Sequence, residues 1–398
     1  MGPLDGVRVV ELGVWVAGPG AGGILADWGA DVVKIEPPAG DPGRTFGAML
    51  GGDVPFNPPF ELDNRSKRSI VVDLATHDGR AVAHDLLARA DVFLTNVRLA
   101  GLARVGLDPE TVTARWPRLV YAAITGYGLD GPEKDRAAYD IGAFWARSGI
   151  AHLLTSPGGT PPFQRGGMGD HSAAMTMASG VCAALVARER TGRGQVVSTS
   201  LLRQGLYTIG FDVNTALRFG VGIGVATRET MGNPVINSYR DRDGRWFWLI
   251  GLEGERHWPD LCRAVERPEW IDDERFATAK ARRRNAGELC RLLDEIFATR
   301  TRDEWGVAFD REDLWWAPVQ TLEEVVDDPQ VRAAGAFVEV PDGGSTATMV
   351  ATPVDFADTT WSPRSMPPAL GEHTDEVLHE LGYDDSRVSA LKASGAVT

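Results

Sequence analysis

The first 130 residues alternate between two hydrophobic periods, and nothing else in the chain narrows the fold as much. Residues 7–12 (VRVVEL), 31–36 (DVVKIE), 69–74 (SIVVDL), 91–96 (DVFLTN) and 119–125 (LVYAAIT) are apolar, β-branched runs of strand length. Between them, residues 19–28, 77–89 and 108–115 read as helices, with Gly29 as a stop for the first. Strands that alternate with helices in this way pair in parallel and are covered on both faces. An α/β fold is therefore expected.

From 126 to 170 Gly, Pro and polar residues dominate (GYGLDGPEKDRAAYD, then TSPGGTPPFQRGGMGD), around one helical stretch at 141–154. Loops of this length in a compact domain are usually functional or disordered. An apolar helix is expected at 171–188 and a strand at 195–200, with Gly192 to Gly194 turning the chain between them. Residues 238–251 read as a hairpin, because RDRDGR supplies an Asp-Gly turn and WFWLIG a returning strand. Helical sequence rich in Arg and Trp then runs from 255 to about 328, so a second, smaller domain is expected over 228–325. Strand pieces at 336–340 and 346–350 and a helix at 374–381 follow. A length of 398 residues suits two or three domains at roughly 150 residues each.

Several classes fall away on composition. A net charge of −14 argues against a nucleic-acid partner. Apolar runs stop well short of the roughly 18 residues a membrane helix needs, and the opening residues, with Asp5 and Arg8, do not form a signal peptide. Cys182, Cys262 and Cys290 are far apart and lack CxxC spacing, which suits a reducing, cytoplasmic setting. Only 5 of the 41 basic residues are lysine, a composition expected of a GC-rich, bacterial genome.

Three segments could carry chemistry. Gly18 to Gly23 matches G-x-G-x-x-G between a strand and a helix, and Glu36 ends the next strand where a dinucleotide fold places its ribose acid. A nucleotide-dependent oxidoreductase and a plain strand-to-helix turn both satisfy this pattern, although Pro19 lacks the N–H a phosphate would want. Next, Gly166, Gly167 and Gly169 lead into Asp170 ahead of the apolar helix. Asp170 fits a helix cap, and equally a nucleophile or general base with glycine N–H groups to hold an oxyanion. Finally, residues 64–69 (NRSKRS) form a basic cluster, expected as a solvated loop or a phosphate site, and Asn96 with Arg98 and Arg104 ends a strand where open α/β sheets bind ligands. No G-x-S-x-G elbow and no metal-ligand histidine spacing is present. The twelve tryptophans, Trp315 and Trp316 among them, are expected in cores and subunit contacts.

Together these motifs resemble the class III CoA-transferases, the family of formyl-CoA and crotonobetainyl-CoA transferases and the related α-methylacyl-CoA racemase. The resemblance runs from PLDGVRVVELGVWVAGPGAGGILADWGADVVKIEPPAGDPGR through NRSKRSIVVDL, DVFLTNVRLAGLARVGLD, ITGYGLDGP, MGDH and TGRGQVVSTSL to LGEHTDEVLHELGYD, with residues 205–330 matching more loosely. It implies a Rossmann-like large domain built from both chain ends (1–205 and 326–398), a linker at 206–227, the small domain at 228–325, and an interlocked homodimer. It implies that Asp170 is a nucleophile that forms an acyl anhydride and then an aspartyl-CoA thioester. It also implies coenzyme A contacts from Val14, Trp15, Val16 and Ala17, from Asn96 and Val97, from Arg104 and Val105, and from Tyr139. Acyl-CoA and carboxylic acid substrates follow, with no metal. The racemase branch carries a histidine directly before an aspartate where this chain has Tyr139 and Asp140. A tyrosine with an ordinary pKa near 10 is a poor shuttle for α-protons, which favours transfer over racemization or epimerization. Glu253 is the nearest match to the racemases' small-domain glutamate. No long glycine run matches the loop that closes over the intermediate in formyl-CoA transferase.

Overall fold

The computed structural model describes residues 1–49, 57–222 and 224–398. They form two compact units. One comprises Met1–His152, Phe163–Gly222 and Gly335–Thr398; the other comprises Leu153–Pro162 and Ile223–Ala334.

The larger unit is built on a parallel six-stranded sheet. Its strands are β1 (Arg8–Leu12), β2 (Asp31–Glu36), β3 (Arg68–Val71), β4 (Val92–Thr95), β5 (Val120–Thr125) and β6 (Val196–Ser200), in the order β3-β2-β1-β4-β5-β6. This is the doubly wound order, and it reverses between β1 and β4, where such sheets open a crevice for ligands. Residues 13–16 leave β1 and Asn96 leaves β4 at that point.

Alternation along the strands divides the core in two. Val9, Val32, Leu94 and Ala122 face helix α1 (Ala17–Asp27) and a long helix, Met168–Thr191. Val10, Val33, Phe93 and Tyr121 face Leu86 and Leu378 on the other side. Small residues let the first pair of helices approach closely. A Cβ added at Gly20 of α1 would lie 3.2 Å from the Cβ of Ala174 on the long helix. Helix α2 (Pro58–Asn64) packs beside α1, helix α3 (His77–Ala88) covers the opposite face, and the long helix is α4.

The expected linker at 206–227 is mostly helical instead. Helices α5 (Leu201–Thr208) and α6 (Gly210–Phe219) belong to the larger unit. Leu201 anchors the first of them in the core, but Tyr207, Phe211, Leu217 and Phe219 lie open on the surface, so most of the pair offered no buried stripe for the sequence pattern to reveal. The chain also returns to the larger unit at Gly335 rather than at 326.

In the smaller unit β7 (Ile236–Arg240) and β8 (Trp246–Ile250) form an antiparallel pair across the Asp-Gly turn. A third strand, β9 (Trp316–Pro318), lies within the stretch read as helical. At three residues it is too short for any periodicity to show. Trp258, Trp270, Phe276, Phe297, Trp305 and Phe309 make up much of that unit's core. An antiparallel ribbon, β10 (Phe337–Asp342) and β11 (Ser345–Val350), completes the strands.

Candidate active site

Asp170 lies in the first turn of α4, behind Gly167, which caps the helix in the left-handed region at φ 79°. That conformation favours glycine. Gly169 is buried because its Cα packs on the ring of Phe144, while Gly166 has open space around it. The first N–H groups of α4 have no carbonyl partner within the helix, and such groups favour negative charge placed at the helix start. Among the described residues no hydrogen bond or ion pair holds the Asp170 carboxylate. Burial pushes its pKa up to about 7, helped by the charges of Asp140 and Asp63 and opposed by His171.

Two further pairs flank it. Asp140 is buried and precedes a π-helical turn, Ile141–Ala146, a rare local structure that is frequent at functional sites. Gln164 Nε2 donates to Asp140 Oδ2 at 2.8 Å. On the other side His171 Nε2 donates to Asp63 Oδ1 at 3.0 Å. This hydrogen bond raises the His171 pKa, against its burial, and the carboxylates of Asp63, Asp170 and Asp140 add to the rise.

A cavity of about 430 Å³ opens at the reversal of the sheet, lined by Val14, Trp15, Asn96, Val97 and Tyr139 among others. Asn96 clamps the loop after β1: its Oδ1 accepts from Val14 N at 2.9 Å and its Nδ2 donates to Val14 O at 2.8 Å. Trp15 sits at φ 65°, a strained conformation for a bulky residue, while its N–H donates to Asp41 Oδ1 at 3.0 Å. The ring of Trp15 meets Tyr139 edge-on at 5.9 Å. Val16 adjoins Gly167, and Ala17 is buried as the first residue of α1. Arg104 is exposed at the end of a short helix, Leu99–Arg104, and Val105 packs against the opposite core; neither lines this cavity. Lys134 and Arg136, which the sequence did not single out, do line it, together with Arg98. Their signal was a pair of cations in the Gly-rich loop after β5.

The glycine motif has a different role from the one its spacing suggests. Helix α1 begins at Ala17, so Gly18, Gly20, Gly22 and Gly23 lie inside it, buried. A Cβ at Gly18 would meet the Asn96 side chain at 2.9 Å, and one at Gly23 would meet the Asp63 carbonyl oxygen at 2.8 Å. At Gly22 it would collide with the carboxylate of Glu11. Close packing therefore explains these glycines. Glu36, the supposed ribose acid, is occupied by Arg44 at 2.6 Å and by the Ser69 hydroxyl at 2.7 Å.

The basic cluster is not a solvated loop, and it is no phosphate site either, because Asn64, Arg65, Ser66 and Lys67 are all buried. Arg65 pairs with Asp27 at 2.7 Å. Lys67 donates to Pro19 O at 2.8 Å and to Asn64 Oδ1 at 3.0 Å, and pairs with Glu11 at 2.7 Å. Buried charges persist where they are paired and hydrogen-bonded, and the partners here come from distant parts of the chain. Among the described residues no group of His, Cys, Asp and Glu could hold a metal ion, and no helix is long and apolar enough to cross a membrane.

Residues 4–374 match the model of CoA-transferase family III. The chain is 33% identical over 399 residues to (R)-2-hydroxy-4-methylpentanoate CoA-transferase of Clostridioides difficile, covering 99% of both proteins. It is 34% identical over 395 residues to cinnamoyl-CoA:phenyllactate CoA-transferase of Clostridium sporogenes, covering 98% of this chain and 96% of the relative. The crystal structure of a CAIB/BAIF family protein from Brucella suis superposes with a TM-score of 0.83 at 32% identity, over 96% of this chain and 99% of that one. The protein belongs to CoA-transferase family III and is an enzyme of that class, with coenzyme A thioesters as its substrates. The oxidoreductase alternative falls with the glycine motif and Glu36.

Proposed function

We propose that the enzyme moves coenzyme A from an acyl-CoA to a free carboxylic acid through covalent intermediates on Asp170. One observation carries this assignment: a partly buried carboxylate that has no hydrogen-bond or ion-pair partner among the described residues, at the open end of a helix. An unpaired charge of this kind is unfavourable and is retained where chemistry uses it.

The Asp170 carboxylate attacks the thioester carbonyl, the C–S bond breaks and CoA leaves as thiolate, giving a mixed anhydride. The thiolate attacks Cγ of Asp170, releasing the donor acid and leaving an aspartyl-CoA thioester. The acceptor carboxylate displaces the thiolate from Cγ, forming a second anhydride. The thiolate then attacks the new acyl carbonyl, releasing the new acyl-CoA and the free Asp170 carboxylate. No step needs a proton, a metal or water, and each divides a difficult exchange into easier ones. Helix N–H groups at Gly169 and Asp170 are suited to the developing oxyanions. Residues 14–17, Asn96, Val97 and Tyr139 would hold CoA, and Arg98, Lys134 and Arg136 bring positive charge for its phosphates. Arg104 and Val105 do not line the cavity, and no CoA contact is assigned to them. The acids are small or medium-sized, and 2-hydroxy acids with an apolar side chain, the class named for the two relatives, come first.

The chain is expected to act as an interlocked homodimer. Tyr207, Phe211, Leu217 and Phe219 on α5 and α6 are 85%, 92%, 76% and 75% exposed, an apolar surface that a second copy would cover. Light scattering should give twice the chain mass; a monomer at micromolar concentration would sink this part.

Trapping tests the chemistry. The protein is incubated with a panel of acyl-CoAs, among them 2-hydroxyacyl and aryl examples, and quenched with hydroxylamine or borohydride. A mass change on the peptide containing residues 168–172, assigned to Asp170, is expected. Exchange of the α-proton in heavy water with no such adduct would instead indicate racemase chemistry.

A further inference from the structure

We propose that His171, anchored by Asp63, is a positioning residue for transfer: its imidazolium supplies the charge that keeps the adjacent Asp170 in its ionised, nucleophilic form. This rests on Asp170 being the nucleophile.

The anchor is built from two elements. The first turn of α4 carries Asp170 and His171 side by side, and the last turn of α2 carries Asp63. The Asp63 side chain is 3% exposed, and its second oxygen has no hydrogen-bond partner among the described residues. The nearest cation on that side, Lys67, is already committed to Glu11, Pro19 O and Asn64. The hydrogen bond from His171 Nε2 at 3.0 Å is thus the contact that neutralises Asp63. A buried carboxylate holds an imidazole in its charged form.

Space for the ring is set by two glycines from separate motifs. A Cβ at Gly20 would stand 3.2 Å from Asp63 Oδ1 and 3.6 Å from His171 Cδ2. A Cβ at Gly167 would stand 3.2 Å from Cε1 and 3.3 Å from Nδ1 of the same ring. The two glycines therefore leave room for the imidazole between Asp63 and the turn that bears Asp170, with the His171 side chain still 41% exposed.

The charges make the consequence specific. Asp140 and Asp63 both push Asp170 toward its neutral form, and His171 is the cation opposing them. The groups acting on His171 are Asp63, Asp170 and Asp140. Lys67 and Glu11 act on Asp63 from beneath. Without the imidazolium, three carboxylates would face one another. A protonated carboxyl is a poor nucleophile, so the cation acts on the step in which Asp170 attacks.

The test is the pH profile of kcat/KM for His171→Gln and for the double variant Asp63→Asn/His171→Gln, each checked for dimer and fold. Losing the cation should raise the Asp170 pKa and move the acid limb to higher pH. The deficit of His171→Gln should then be about tenfold larger at pH 6 than at pH 9, one decade per pH unit of displacement. The double variant removes one charge of each sign, and its amides can still pair, so its limb should return toward that of the wild type. It also serves if the single variant does not fold. A deficit equal at all pH values, or a double variant with its limb as displaced as the single's, would reduce His171 to a packing role. Trapping of wild-type Asp170 tests the nucleophile separately, so the two assignments can fail independently.

Discussion

Asp170→Asn is expected to lose CoA transfer by at least about 10⁴-fold, because removing a covalent nucleophile abolishes the pathway rather than slowing one step. The substitution changes little else. Among the described residues no hydrogen bond or ion pair depends on the carboxylate, and the amide has the same shape. Stability should not fall. The folded-state pKa of Asp170 is raised to about 7, above the ordinary carboxylate value, so between those two values the folded protein binds the extra proton. Stability linked to this group is therefore greatest at low pH and declines as pH rises toward 7, leaving a penalty above it. An uncharged amide escapes that penalty. At pH 8 the variant should melt no lower than the wild type, while initial rates with any accepted acyl-CoA vanish and no adduct forms on residues 168–172. Near-wild-type turnover would remove Asp170 from the mechanism. Loss of activity together with a much lower melting point would mean that the side chain is structural.

The sheet was legible because each strand carries its own signal. VRVVEL and DVFLTN announce themselves locally, and helices between them dictate parallel pairing. Asp170 stood out as a candidate for the same local reason, since a glycine turn, an acid and an apolar helix are neighbours in sequence. What the chain hides is what distant segments do to each other. The Gly18-to-Gly23 spacing looks like a phosphate turn, yet those glycines are set by Asn96, Glu11, Lys67 and Asp63, which approach from other parts of the chain. The cluster at 64–69 looks solvated because its acids, Asp27 and Glu11, lie about 40 to 55 residues upstream. Asp63 had no local mark at all. Its partner His171 follows it by 108 positions, and only the packing of α1, α2 and α4 brings them together.

Glu11→Gln should be the most destabilising conservative change in the larger unit, by about 3–5 kcal/mol at pH 6, the range for breaking a buried ion pair. Glu11 lies beneath α1 with one oxygen 2.9 Å from Lys34 and the other 2.7 Å from Lys67. Lys34 also donates to Gly13 O at 2.9 Å and pairs with Asp41 at 2.8 Å, so each ammonium finds three acceptors only while Glu11 is charged. Through Asp41 this network also reaches the N–H of Trp15, so its loss should disturb the loop after β1. The pH dependence separates charge from shape. Burial depresses the Lys67 pKa to about 8 even with Glu11 opposing the shift. In the amide variant that opposition is gone, and Lys67 should shed its proton at lower pH. A lysine with a depressed folded pKa binds fewer protons folded than unfolded, so stability rises with pH across the interval. The variant begins this rise earlier, and its deficit against the wild type should therefore shrink as pH approaches 8. Denaturant midpoints at pH 6, 7 and 8 measure it. A deficit unchanged with pH would assign the loss to hydrogen-bond geometry rather than to the uncompensated charge of Lys67.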